Sequence, residues 1–215
     1  MARRCRRIYR RGGAAIMNVL VIPEDFRKDE AILLPLIKAM FNAAGKPRAN
    51  VRICKEPLLG GVDQALDSVR INEIVERYRG MVKIFILCVD RDGEDGRRFR
   101  LDQLEGESGR SFGENSGKAF FAENAWQELE VWILAGFNDL PQEWNWNEIR
   151  QERDPKERFY LPFARLKNVL NSPADGRKAL AEEAATHFDR ICQFCPEDFN
   201  NLFTRISNWL GAYNG

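Results

Sequence analysis

Histidine is nearly absent: the 215-residue chain carries one, His187. A lone histidine far from any acidic cluster argues against a Ser-His-Asp or Cys-His nucleophile. Threonine is scarce too, with only Thr186 and Thr204, and no Gly-x-x-x-x-Gly-Lys-Ser/Thr occurs, so the chain has no P-loop for ATP. No apolar run is long enough to cross a bilayer. The five cysteines are an odd number and suggest no disulfide framework, which makes a reducing cytoplasm the expected compartment. A basic surplus is also missing. The net charge of +1 falls to −5 once the six arginines of the first 16 residues are set aside (Arg3, Arg4, Arg6, Arg7, Arg10, Arg11). The rest is therefore no broadly basic nucleic-acid binder, and polynucleotide contact must come from a local patch, metal ions or a partner.

The arginine-rich segment 1–16 reads either as a nucleic-acid or targeting arm or, more plainly, as a disordered tail or an upstream start with the real beginning at Met17. It lacks a signal peptide's apolar centre. The plainer reading is preferred. The 44% hydrophobic and 30% charged fractions describe an ordinary globular chain with one sizeable core.

What is present is a repeated pattern of apolar run followed by acids. Asn18-Val-Leu-Val-Ile22 leads to Pro23-Glu24-Asp25, and Lys83 to Val89 leads to Asp90-Arg91-Asp92. Continuous apolar, β-branched runs read as buried parallel strands. Parallel strands point the same way, so Glu24, Asp90 and Asp92 are expected at one carboxyl edge, where open α/β sheets bind ligands. Carboxylates gathered there repel unless a cation lies among them.

Between and after these runs the expected order is a helix over Asp29–Ala44, a strand at Val51–Cys54 and a helix over Val62–Tyr78 stopped by Gly80. Gly106–Lys118, with four glycines and three serines, reads as a mobile loop. A fourth strand at Ala119–Ala122 and a helix at about 126–137 follow, then helices near 161–171, 176–191 and 197–210. The expectation is an α/β domain over 17–137, with a mostly parallel four-stranded sheet flanked by helices. An all-helical layer over 138–215 packs on the same domain.

On the 126–137 helix, Trp126, Leu129, Ile133 and Phe137 share one face. Glu130 falls within it and Glu128 points roughly opposite. A buried carboxylate is costly unless paired, so Glu130 calls for a metal or a basic partner; a later helix start would leave both acids solvated.

Together, the acid after strand one, the Asp-x-Asp after a later strand and Glu128-Leu-Glu-Val-Trp-Ile-Leu-Ala135 resemble an uncharacterised bacterial family. The segment Phe194-Cys-Pro-Glu-Asp-Phe199 completes the set. That family is related to TOPRIM domains, the metal-binding module of topoisomerases, primases and overcoming-lysogenization-defect nucleases. The resemblance covers roughly Met17 to the end, and only the first two features belong to TOPRIM proper. It implies a compact parallel sheet flanked by helices, Mg²⁺ held by Glu24, Asp90 and Asp92, and Glu130 as the additional acid. It also implies a nuclease with a role in anti-phage defence, acting beside a separate ATPase. Two departures stand out: Glu24 is followed by Asp25 where the family has glycine, and the lysine of some nuclease relatives has no evident counterpart.

Hard oxygen ligands suit Mg²⁺ or Mn²⁺, and two such ions about 4 Å apart would serve phosphodiester hydrolysis of DNA or RNA. Arg91, Arg97, Arg98 and Arg100 can grip phosphates, or equally form a solvated face pairing with Glu94, Asp95 and Asp102. An acidic body poor in basic surface favours instead a non-catalytic, metal-binding regulatory subunit. Asp90-x-Asp92-Gly93 also fits a haloacid-dehalogenase-type phosphatase, although Glu94 stands where a hydroxyl residue is wanted. As a calcium loop the segment lacks the glycine at position six and the glutamate at position twelve. Cys192, Cys195 and His187 offer three zinc ligands without a fourth, and a structural pair is the better reading. Trp144, Trp146 and Trp209 can stack on bases, with packing in the helical layer the stronger expectation.

Overall fold

In the computed structural model, residues 16–113 and 116–213 are described. The arginine-rich segment thus lies outside the described residues, save Ile16. Four strands form one parallel sheet: β1 (Asn18–Pro23), β2 (Asn50–Ile53), β3 (Ile84–Asp90) and β4 (Ala119–Ala125), ordered β2-β1-β3-β4. Successive side chains leave a strand on opposite faces. Val19, Val21, Ile84, Ile86 and Phe121 accordingly enter one apolar cluster, and Leu20, Ile22, Phe85, Leu87 and Phe120 enter another. Both faces are covered, which is why these strands read as unbroken apolar runs.

On the first face lies α1 (Phe26–Ala43), opened by Asp25, whose Oδ1 accepts the Arg27 N–H at 3.0 Å. Its buried residues Ile32, Leu33, Leu36, Ile37, Met40 and Phe41 follow the helical period. The same cluster takes in the carboxyl-terminal helices: α5 (Glu130–Ala135), α6 (Trp146–Gln151), α7 (Leu161–Leu166), α8 (Arg177–Ala185), α9 (Phe188–Phe194) and α10 (Phe199–Tyr213). Residues 138–213 therefore share a core with α1 and the sheet. On the second face lie α3 (Ser68–Tyr78), introduced by the short α2 (Val62–Ala65), and α4 (Arg97–Phe112).

The chain leaves β1 through α1 on one face and leaves β3 through α4 on the other. A crevice opens where the connections part, between the carboxyl ends of β1 and β3.

Several expected boundaries differ. The segment 62–78 is two helices, because Asp67 caps a fresh start, its Oδ1 accepting the Val69 N–H at 2.9 Å. Gly106–Lys118 is not a loop throughout, since α4 runs to Phe112. Burial of Leu101, Leu104 and Phe112, with Phe112 stacked 5.7 Å from Phe85, outweighs the poor helix propensity of Gly106 and Gly109. The helix expected from 126 becomes regular only at Glu130, because Gln127 takes a left-handed φ of 76°. Asn168 (φ 57°) follows the end of α7, and the 176–191 segment divides into α8 and α9 around Thr186-His187.

Gly136, at the end of α5, marks the tightest approach between layers. A Cβ there would lie 2.6 Å from the Cα and Cβ of Ala184 in α8. Gly136→Ala is expected to lose about 1–3 kcal/mol by overpacking, read as a lower denaturant midpoint. An unchanged midpoint would contradict the close packing of α5 on α8.

Candidate metal centre

Where the chain passes from β1 into α1 it turns through Glu24 and Asp25, and β3 ends on Asp90. Between them lies a cleft of about 440 Å³ lined by Glu24, Asp25, Asp29, Asp90, Glu128 and Glu130. Arg27, Lys28, Lys156 and Arg177 complete its wall together with the Leu59-Gly60-Gly61 loop. Of the four acids expected to meet here, Glu24, Asp90 and Glu130 line this cleft at the switch point of the sheet, and Asp92 does not.

Four of these acids are held by donors from their own surroundings. The Leu129 N–H donates to Asp90 Oδ1 at 2.9 Å, and the Asp25 N–H donates to Asp29 Oδ2 at 3.0 Å. The Lys156 N–H donates to Glu128 Oε2 at 2.8 Å. Glu130 Oε1 accepts from Arg177 Nε at 2.8 Å and forms an ion pair with Nη2 at 2.7 Å. Arg177 is fixed in turn by the Ala174 carbonyl and by Asp175, both in left-handed backbone (φ 56° and 54°). Strain of that kind persists only where surrounding structure enforces it. The buried Glu24 Oε2 has no hydrogen-bond partner among the described residues.

The electrostatics follow from this crowding. Burial, then the charges of Glu130, Asp29 and Glu24, push the Asp90 carboxyl well above the usual range, against the Leu129 N–H. Burial raises Glu24, with Asp92 adding to it. Asp29 is pushed up to about 7 by burial, with Glu130 and Glu24 adding to it against the Asp25 N–H. Glu128 also rises to about 7 by burial, against the Lys156 N–H.

Asp92 stands apart from the cleft wall. It has a left-handed φ of 52°, is half exposed and reaches Arg97 Nη2 at 3.5 Å, yet lies near enough to raise Glu24. Its turn is clamped by Gln127. The Arg91 and Asp92 N–H groups donate to the Gln127 carbonyl at 2.8 and 3.2 Å, and the Gly93 N–H donates to its Oε1 at 2.9 Å.

The arginines expected to grip phosphate are largely committed elsewhere. Arg91 pairs with Asp95 at 2.6 Å and lies 4.0 Å over the Trp126 ring. Arg97 is buried against the Arg91 carbonyl. Arg98 bonds Asp102, Glu123 and the Ala122 carbonyl. Arg100 bonds the Leu66 carbonyl. The paired-face alternative describes Arg91 and Arg98, and none of the four lines the cleft.

Glu128, expected to point away, lines the cleft instead. The irregular turn at Gln127 displaces it from the helical face that the periodicity assigned. Asp29 and Lys156 were not foreseen as site residues. Asp29 had a readable signal, one helical turn beyond Asp25. Lys156 had none: a π-helical turn, Lys156–Tyr160, carries it into the cleft from a distant segment. Single π-helical turns recur at functional sites.

For a divalent ion the donor set is chemically suitable, all carboxylate, with an unpartnered buried Glu24 oxygen facing the repulsion. Among the described residues, however, no three His, Cys, Asp or Glu side chains are already gathered closely enough to hold an ion. Glu24 with Asp90 and Asp29 would have to draw together on binding. Comparison with protein-family models, with curated proteins and with solved structures finds no match.

Two outcomes follow. Asp29 and Glu128 have raised folded-state pKa values, so above about pH 7 their charges oppose folding. As pH falls through 7 the folded chain gains protons that the unfolded chain takes up only near its ordinary carboxylate pKa, so cation-free stability rises. In EDTA the melting temperature should therefore be higher near pH 5.5 than near pH 8, and Mn²⁺ should raise it more near pH 8. Equal Mn²⁺ shifts at both pH values would contradict the crowded-carboxylate account.

Removing Glu130 leaves the buried Arg177 with only the half-exposed Asp175 as a counter-charge. Glu130→Ala should lose about 3–5 kcal/mol in chemical denaturation. Glu128→Ala, which frees one backbone N–H, should lose about 1 kcal/mol. Equal losses would contradict the pairing described.

Proposed function

We propose that the chain is a Mg²⁺- or Mn²⁺-dependent nuclease of TOPRIM type, hydrolysing phosphodiester bonds in nucleic acid. The observation that carries the reading is the crowding of Glu24, Asp90 and Asp29 at the switch point between β1 and β3, with Glu24 Oε2 unpartnered. Carboxylates so placed hold their charge together most readily around a hard cation.

Glu24, Asp90 and Asp29 would hold the ion, with Asp92 on the rim of the same edge and Glu130 in support. A bound ion supplies Lewis acidity and a water of lowered pKa. The chain itself contributes position and charge. Arg27, Lys28 and Lys156 stand on the cleft wall, where they orient a phosphodiester and offset its charge. Lys156, a lysine on the cleft wall, would serve where the sequence pattern offered none. Leu129 N–H orients Asp90, and Gln127 holds the Asp-x-Asp turn. Arg177 pairs with Glu130 and fixes its carboxylate in place.

The second reading, a non-catalytic metal-binding or regulatory subunit acting with a separate ATPase, has its own support. Glu130 is already paired with Arg177, and no three acids are preassembled among the described residues. A role in anti-phage defence rests on the family resemblance alone. A haloacid-dehalogenase-type phosphatase is disfavoured, because Glu94 stands where that pattern wants a hydroxyl residue.

Purified protein incubated with plasmid, single-stranded DNA and RNA decides between the first two. Cleavage is expected in Mg²⁺ or Mn²⁺, is abolished by EDTA, and falls in Glu24→Gln and in Asp90→Asn/Asp92→Asn by more than the roughly 10–100-fold typical of outer-shell changes. Cation binding without cleavage of any polymer would favour the regulatory reading and overturn the nuclease.

A further inference from the structure

Beside the acidic edge lies a second pocket that the cation chemistry leaves unused. Its volume is about 360 Å³, at the small end of the roughly 300–1,000 Å³ usual for small-ligand sites. Two indoles, Trp126 and Trp146, share its lining with the carboxamides of Asn147, Gln151 and Gln193. We infer that this pocket receives a nucleobase, an inference that rests on the nucleic-acid reading above and names how the substrate strand is held.

Position comes first. Trp126 follows Ala125, which pairs in the sheet with Asp90, so the indole leaves the same carboxyl edge one strand over from the acids. Arg91, between Asp90 and Asp92, lies 4.0 Å over its ring. A strand whose phosphate sits in the acidic cleft has its neighbouring base within reach of Trp126.

The lining chemistry selects a neutral, planar, hydrogen-bonding ligand. Arg150 is the pocket's one cation among the described residues, and it is spent on Asp198 at 3.1 Å and on Glu197 at 2.9 Å. With Glu197 also in the wall and no cation to spare, a phosphate is disfavoured there. The side chains of Asn147, Gln151 and Gln193 are exposed and make no hydrogen bond among the described residues. Each keeps a donor and an acceptor unused, the pairing that base edges require. Of the tryptophans flagged from the sequence, Trp144 packs against Phe159 and Trp209 stacks on Tyr213, while Trp146, packed edge-on against Phe194, also lines this pocket.

The test measures binding of a labelled single-stranded oligonucleotide and of an abasic strand of equal length, in EDTA, to the full chain. Wild type should bind the base-bearing strand about tenfold more tightly, the worth of one stacked base. Asn147→Ala/Gln193→Ala, which alters only exposed side chains, should lower that preference several-fold, by the worth of the base-edge hydrogen bonds, while keeping the wild-type Mn²⁺ melting shift. Trp146→Leu should lose the preference. If that variant fails to fold, because the Trp146 indole N–H bonds the Phe194 carbonyl, the carboxamide variant still decides. Competition by a free nucleoside monophosphate, as strong per base as the oligonucleotide, would assign the same pocket to free nucleotides. Equal binding of base-bearing and abasic strands by wild type, an undiminished preference in the carboxamide variant, or no binding of oligonucleotide or mononucleotide would overturn the pocket. Base preference without metal-dependent cleavage would retain the pocket and sink the nuclease, and cleavage without base preference would do the reverse.

Discussion

Mutual repulsion among carboxylates at the parting of β1 and β3 is the constraint around which this structure is arranged. The parallel sheet brings Glu24 and Asp90 together because β1 and β3 are neighbours whose following helices diverge to opposite faces. α1 adds Asp29, and the segment after β4 adds Glu128 and Glu130. Left alone, such a group would protonate or splay apart. Here each of Asp29, Asp90 and Glu128 takes one backbone N–H and Glu130 takes an arginine, so the acids are held in place with one side still open to the cleft.

The scaffold that holds this edge is itself a set of buried charges with complete partners. Asp198 accepts from the Trp126 N–H at 2.7 Å, from the Trp132 indole at 2.8 Å and from Arg150. The Cys-Pro-Glu-Asp segment noticed in the sequence therefore pins the turn after β4 to the helical layer. That turn carries Gln127, which clamps the Asp-x-Asp loop, and Leu129, which orients Asp90. Removing one member of such a network strands the others in a low-dielectric interior, so the carboxyl-terminal helices belong to the site's architecture as well as to its core.

The four strands, their parallel sense and the edge where the acids emerge were legible in the sequence, because a sheet buried on both faces writes itself as unbroken apolar runs. Glu24, Asp90 and the inward Glu130 could be placed on the same grounds, and the need of Glu130 for a partner followed from desolvation. Its partner did not: Arg177 lies 47 positions away, at the start of α8 just after a turn of left-handed backbone. Periodicity misplaced Glu128 because Gln127 breaks the helix just before it. Gly106 and Gly109 misread as loop because local propensity cannot see Phe85 waiting for Phe112. Lys156 was invisible, since nothing local marks the π-helical turn that delivers it.

A crowded but unassembled group of acids is an arrangement that a divalent cation would complete, drawing Glu24 and Asp90 toward a common point. Diffraction from crystals soaked in Mn²⁺, recorded for its anomalous signal, measures this most directly. The account predicts a peak in the cleft bonded to Glu24 and Asp90, with Asp29 turned toward it. A cleft without a peak under saturating Mn²⁺, or manganese bound only at other surfaces, would contradict it.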